Sequence, residues 1–122
     1  MDTSMRLATA EEKFADIIWE NEPLHSRDLV KLCEEKLEWK KSTTYTVLKK
    51  LCDRGIFQND GGMVSSLLSK EKVLNIQSTQ FVDKTFNGSL PAFIAAFTKR
   101  KKLSKKEIDE IRKMIDDYKP EE

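Results

Sequence analysis

Ser42-Thr43-Thr44-Tyr45-Thr46-Val47-Leu48-Lys49-Lys50-Leu51-Cys52-Asp53-Arg54-Gly55 is the stretch that decides the fold. Thr44, Val47, Leu48 and Leu51 recur at spacings of three and four, which marks the buried stripe of an amphipathic helix. The helix is expected to start near Ser42. It ends at Gly55, a residue suited to a left-handed cap. Off the stripe the helix is polar, with hydroxyls toward its start and lysines along its flanks.

Downstream, Ile56 to Leu68 contains Asp60-Gly61-Gly62 between two short, partly apolar runs. That pattern signals a hairpin. Upstream, Thr9 to Glu20 reads as a helix with Phe14, Ile17 and Ile18 as its stripe. Thr9 and Glu12 have the spacing of a capping box. A second helix is expected from Ser26 as N-cap, with Asp28 in its first turn and Leu29, Val30, Leu32, Cys33 and Leu37 on a broad apolar face. A brief strand at Leu24-His25 has the length to pair with the hairpin. The order is helix, helix, helix, hairpin, and residues 1–69 form the first domain.

Residues 70–122 form a second, all-helical domain. One helix spans about Lys70 to Phe86 with Leu74, Phe81 and Phe86 among its apolar residues, and Asn87-Gly88 breaks it. Leu90 to Phe97 is a short apolar helix carrying Phe93, Ile94 and Phe97. Lys99-Arg100-Lys101-Lys102 follows as a basic linker. Ser104 to Glu107 is a capping box that opens a helix with Ile108, Ile111, Ile115 and Tyr118 on one face. This segment is too short to bury all those faces internally, so a second copy of the chain is the expected cover. Leu74, Phe81, Phe86, Phe93, Ile94, Phe97, Ile108, Ile111 and Ile115 are the expected dimerisation residues.

The 122 residues suit one compact domain plus an oligomerisation segment, and no apolar run is long enough to span a membrane. The N-terminal residues lack the pattern of a secretory signal, and two isolated cysteines fit a reducing cytoplasm. With a single histidine, no nucleophile elbow, no phosphate loop and no Cys-x-x-Cys pattern, neither catalysis nor a cofactor or metal site is expected. His25 reads as a surface or turn residue.

Net charge is only +1, but it is unevenly spread. Residues 1–39 carry ten acidic and five basic side chains, whereas residues 40–54 carry Lys40, Lys41, Lys49, Lys50 and Arg54 against Asp53 alone. A helix that enters the major groove needs small hydrogen-bonding side chains toward base edges and basic ones toward phosphates. The expected DNA-binding residues are therefore Lys40, Lys41, Ser42, Thr43, Tyr45, Thr46, Lys49 and Lys50, with most of the hydroxyls in the first turns, where a helix-turn-helix lies nearest the bases. The alternatives are a winged-helix protein–protein interaction module whose basic helix is merely solvated, and a metal-responsive regulator.

The chain resembles the BlaI/MecI/CopY family of penicillinase and metal-resistance repressors. The resemblance rests on Ala10-Glu11 through Ile17-Ile18-Trp19, on Trp39, Thr43 and Thr46-Val47-Leu48-Lys49-Lys50-Leu51, on Arg54-Gly55, and downstream on Phe86-Asn87-Gly88-Ser89-Leu90 and Leu103-Ser104 with Glu107-Ile108. It covers roughly residues 7–118. It implies a mostly α fold with a small β-hairpin: a winged helix-turn-helix N-terminal domain and a helical C-terminal dimerisation domain. The implied function is transcriptional repression by a homodimer on a palindromic operator, relieved by a regulatory protease or another inducer. The lactamase branch is cut at an Asn-Phe bond, where this chain has Ala96-Phe97. The copper branch senses metal through a Cys-x-Cys pair, and residues 98–122 here contain no cysteine.

Overall fold

A computed structural model describes residues 4–121. The elements run α1 (Thr9–Asn21), β1 (Leu24–His25), α2 (Ser26–Leu37), α3 (Lys41–Asp53), β2 (Phe57–Asp60), β3 (Met63–Ser66), α4 (Lys70–Phe86), α5 (Leu90–Arg100) and α6 (Lys105–Asp117). The chain divides into two compact units, Met1–Phe81 and Val82–Glu122, with the division inside α4.

In the first unit, three helices pack with a three-stranded antiparallel sheet of order β1-β3-β2. Leu24 faces Val64 across β1 and β3, so the two-residue strand does join the hairpin. Gly61 and Gly62 form the two-residue loop with φ of +58° and +101°, a backbone that matches strand twist and that side chains resist. At Gly62 the resistance is also steric, because a Cβ would stand 2.6 Å from His25 Nε2.

The core holds Phe14, Ile18, Leu29, Leu51, Ile56, Phe57 and Val64 with essentially no exposure, and the expected stripe residues Thr44 and Leu48 with them. Val47 of that stripe is half-buried. Phe14 stacks on Trp39 at 5.5 Å, and Trp19 tilts against Phe57 at 5.4 Å. The Trp19 indole N–H, which needs a partner when buried, donates to the Leu68 carbonyl at 3.0 Å. Cys33 is a small core residue, and burial pushes its thiol pKa up.

The end of α3 is a complete Schellman motif. Gly55, at φ +80°, donates its N–H to Cys52 O at 2.9 Å, and Ile56 N–H reaches Leu51 O at 3.1 Å. The Ile56 carbonyl then accepts from both Leu67 N–H and Leu68 N–H, at 2.8 and 3.1 Å.

Two caps differ from expectation. The N-cap of α1 is Ala8, not Thr9: the Glu11 carboxylate accepts from Ala8 N–H at 2.8 Å, so the glutamate one position before Glu12 closes the turn. The N-cap of α2 is His25, not Ser26; its Nδ1 accepts from Arg27 N–H at 3.1 Å, leaving Ser26 as a buried first helical residue. α3 begins one residue earlier than Ser42.

α4 begins against the first unit. Val73 is buried, Lys70 pairs with Asp16 at 2.9 Å, and Gln77 Nε2 donates to Met5 O while Gln80 Oε1 accepts from Met5 N–H. These two bonds pair both polar groups of one backbone residue, clamping the N-terminal segment to the helix.

The second unit contains the end of α4 with α5 and α6. Ser89 caps α5, its hydroxyl accepting from Ala92 N–H at 3.1 Å. α5 continues through Arg100 rather than stopping at Phe97, so Lys99 and Arg100 form its last turn and the basic linker shortens to Lys101-Lys102-Leu103. The expected capping box of α6 is present: Ser104 Oγ accepts from Glu107 N–H, and Glu107 Oε1 from Ser104 N–H, both at 3.1 Å. No helix among the described residues is long and apolar enough to cross a membrane.

Candidate nucleic-acid interface

α2 and α3 are joined by Glu38-Trp39-Lys40. Glu38, at φ +58°, reverses the chain, and Trp39 anchors the corner on Phe14. α3 packs by Thr44, Leu48 and Leu51, with Tyr45, Val47 and Cys52 half-buried beside them, and turns its remaining residues outward. Lys40 is the N-cap and Lys41 the first helical residue; both are exposed. Ser42, Thr43 and Thr46 lie exposed on the following turns, so five of the eight expected residues sit together at the start of the helix.

The remaining three have protein partners. Tyr45 is half-buried and its hydroxyl donates to Ser26 Oγ at 3.1 Å, tying α3 to the start of α2. Lys49 pairs with Asp53 at 3.0 Å one turn on, a contact between highly exposed side chains that adds little. Lys50 Nζ lies 2.9 Å from Glu11 Oε2. The Glu11 side chain is only 12% exposed, and its carboxyl pKa is held below its ordinary value by Lys50 first, against the effect of burial, with help from Ala8 N–H and Arg54. Thr46 Oγ1 donates to Ser42 O at 2.8 Å, leaving its methyl and its lone pairs available.

Three residues matter here that sequence reading left aside. Glu11 holds Lys50, and because the N-cap Ala8 carries no side-chain acceptor, the sequence offers no capping-box signal for it. Ser26 holds Tyr45, and nothing in the sequence marks that pair. Arg54, counted with the basic island, instead donates through Nη2 to the carbonyls of Ser4 and Arg6, so the cation is spent on fastening the N-terminal segment.

The hairpin offers no basic side chain at its tip. Gln58 Nε2 donates across the strands to Ser65 Oγ at 3.1 Å, and Asn59 Oδ1 accepts from Gly62 N–H at 3.0 Å. Both amides are engaged in shaping the hairpin.

The expected dimerisation residues fall into two groups. Leu74 belongs to the first unit, where it lines a groove of about 150 Å³ with Leu7, Asp16, Trp19, Lys70 and Val73; Phe81 closes that unit, half exposed. In the second unit Phe86 meets Phe93 edge-on at 5.6 Å, and Phe93 tilts against Phe97 at 6.0 Å. Ile94, Phe97, Ile108 and Ile115 are exposed, and Ile111 is half-buried. No group of three or more potential metal-ligating side chains comes together among the described residues.

Against known proteins, residues 7–117 match the family model described as penicillinase repressor. The chain is 20% identical over 118 residues to the penicillinase repressor of Bacillus licheniformis, covering 93% of this chain and 92% of that protein. It is 22% identical over 113 residues to the methicillin resistance regulatory protein MecI of Staphylococcus aureus strain Mu50, covering 89% and 92%. The MecI protein of Mammaliicoccus sciuri is 21% identical over 113 residues. These relatives are named as repressors and regulators, not as enzymes. A three-helix, three-strand unit that turns α3 outward, followed by a helical unit, thus coincides with a family match over almost the whole length: the chain belongs to the penicillinase repressor family.

Proposed function

We propose that this chain is a cytoplasmic transcriptional repressor that binds a palindromic DNA operator as a homodimer, with α3 in the major groove. The observation that carries the reading is the start of α3. Lys40 and Lys41 have no ion-pair partner among the described residues, and they flank the exposed hydroxyls of Ser42, Thr43 and Thr46. Two lysines at a helix N-terminus are disfavoured by the helix dipole, so they do not serve the helix itself. They suit phosphates, while the hydroxyls and threonine methyls suit base edges.

Residues 1–69 supply the DNA-binding part in this reading, and residues 70–122 the dimer contacts. Support for the second copy comes from the apolar faces of α5 and α6, on which no residue is buried in the single chain. Exposed apolar side chains of this number call for a partner surface. Repression is relieved by an inducing signal other than an Asn-Phe protease, since Ala96 occupies the position before Phe97.

Selection from random duplexes, followed by mobility shift in modest salt, tests the reading. It should return a dyad sequence with half-sites about one helical turn apart, or a multiple of that. Thr43→Ala should weaken binding to that operator by about 1–3 kcal/mol with little loss of stability. No preferred duplex, with binding to none, would leave a protein–protein module in its place.

A further inference from the structure

Between Lys99 and Lys106 six of eight residues are basic: Lys99, Arg100, Lys101, Lys102, Lys105 and Lys106. All six are exposed, and none forms an ion pair among the described residues. Folding accounts for only part of this run. Lys99 and Arg100 occupy the last turn of α5, where the helix dipole welcomes cations. Lys101 and Lys102 lie in the connection, and Lys105 and Lys106 open α6, where the dipole repels them. Glu107, the one acid in that turn, has its carboxylate engaged with Ser104 N–H. Six like charges within so short a segment also repel one another, which the neighbouring acids Glu107, Asp109 and Glu110 only partly offset.

We propose that Lys99–Lys106 is a second phosphate-contacting surface, blind to sequence, for the backbone of the same DNA duplex that α3 reads. It rests on the DNA reading of α3. Five of the six cations are lysines, which bind phosphate as point charges. The run contains no Asn, Gln or aromatic residue, and Leu103, its only apolar residue, is half-buried. Insertion into a bilayer needs an apolar face that is missing here, and the bidentate amides that read adenine are missing too. What remains is a dense, linear positive charge, complementary to a polymer with one negative charge about every 1.7 Å. Once α3 holds a duplex, the covalent chain keeps that polymer at high effective concentration near this segment.

The test uses the full chain, its selected operator, and a scrambled duplex of equal length, with affinities measured across a salt series. The variant carrying Lys99→Gln, Arg100→Gln, Lys102→Gln and Lys106→Gln should lose at least tenfold in affinity for both duplexes in modest salt. Its salt slope should fall by about two or more, since each lost phosphate contact removes about 0.9. The ratio of operator to scrambled affinity should not change. A charge-conserving variant with Lys99→Arg, Lys102→Arg and Lys106→Arg should keep the parent slope. Should the fourfold variant lose helix content, Lys102→Gln alone, which lies outside both helices, decides by a slope reduced by about two, about 0.9 from each copy of the dimer, or left unchanged. A parent that binds its operator while the variants keep its slope overturns the second surface and leaves the α3 reading standing. A parent that binds neither duplex overturns both. Tighter binding of the parent to phosphatidylserine vesicles than to duplex, abolished by the same substitutions, would assign the surface to membranes and overturn the proposal as well.

Discussion

The two units solve the same burial problem differently. Met1–Phe81 contains every fully buried hydrophobic residue in the core, from Leu7 to Val73. Among the described residues of Val82–Glu122 there is none, although α5 and α6 each carry a coherent apolar face. The first unit brings helices and sheet around a shared centre. The second has only about two and a half helices, too few to enclose one another's faces. A unit with its own core owes its stability to its own sequence. If a second copy covers the other, as proposed, its stability depends on that association.

This contrast breaks most visibly on core truncation. Phe14 is fully buried and stacked on Trp39, so Phe14→Ala should cost about 3–5 kcal/mol of unfolding free energy at any protein concentration. Ile115, 61% exposed in the single chain, should behave oppositely. Ile115→Ala should leave dilute protein almost unchanged while lowering the concentration-dependent part of the melting temperature. Denaturant melts at two widely separated concentrations distinguish the cases. A concentration-independent loss for Ile115→Ala would place α6 in a self-sufficient core.

The boundary itself can be sharpened by truncation. A fragment ending at residue 69 removes Val73 and the glutamine clamp on Met5, whereas one ending at residue 81 keeps them. The longer fragment should be more stable by about 1.5–3 kcal/mol, the worth of burying one valine-sized side chain. Equal stabilities by urea titration would show that the start of α4 belongs energetically with the second unit.

Glu11 offers a smaller, pH-dependent effect confined to the first unit. Its folded pKa is lowered from an ordinary value of 4.5, chiefly by Lys50. The associated stabilisation is present above the ordinary value and disappears as pH falls through the lowered one. Glu11→Gln should therefore cost about 1–2 kcal/mol at neutral pH and flatten the acid limb below about pH 4.5. An acid limb identical to the parent's would remove this ion pair from the stability of the unit.

The smallest effects concern the salt response of DNA binding. Lys41→Ala should lower the slope by about 1.8 for the proposed dimer, about 0.9 for each of its two copies, because a free lysine releases a counterion from the DNA when it binds. Lys50→Ala should lower it by less, since Glu11 already supplies an anion that a phosphate must displace. Equal losses for both lysines would mean that the Glu11 contact opens on the duplex.

Periodicity made the helices plain, and α4 falls over the expected residues at both ends. The hairpin was equally plain from Asp60-Gly61-Gly62, because the demand for positive φ is local. Caps were less so: Ala8 and His25 displaced Thr9 and Ser26, since which polar group reaches an orphan N–H depends on how the chain enters the helix. The start of α3 was visible as composition. The ties of Tyr45 to Ser26, Lys50 to Glu11 and Arg54 to Ser4 and Arg6 were not, because they join residues 19 to 50 positions apart. Such pairs exist only once the helices have packed.

Ile56 links two of these layers. Its N–H closes the end of α3, and its carbonyl closes the base of the hairpin through Leu67 and Leu68. One fully buried residue, through its two flanking peptide groups, thus terminates both elements. Moving the hairpin at its base breaks bonds to the same residue whose N–H holds the last turn of α3. In terms of amide exchange, Ile56, Leu67 and Leu68 belong to a single cooperative block whose opening approaches global unfolding of the unit. If α3 reads DNA as proposed, it does so with the hairpin anchored at its base, which leaves less ordering entropy to lose on contact.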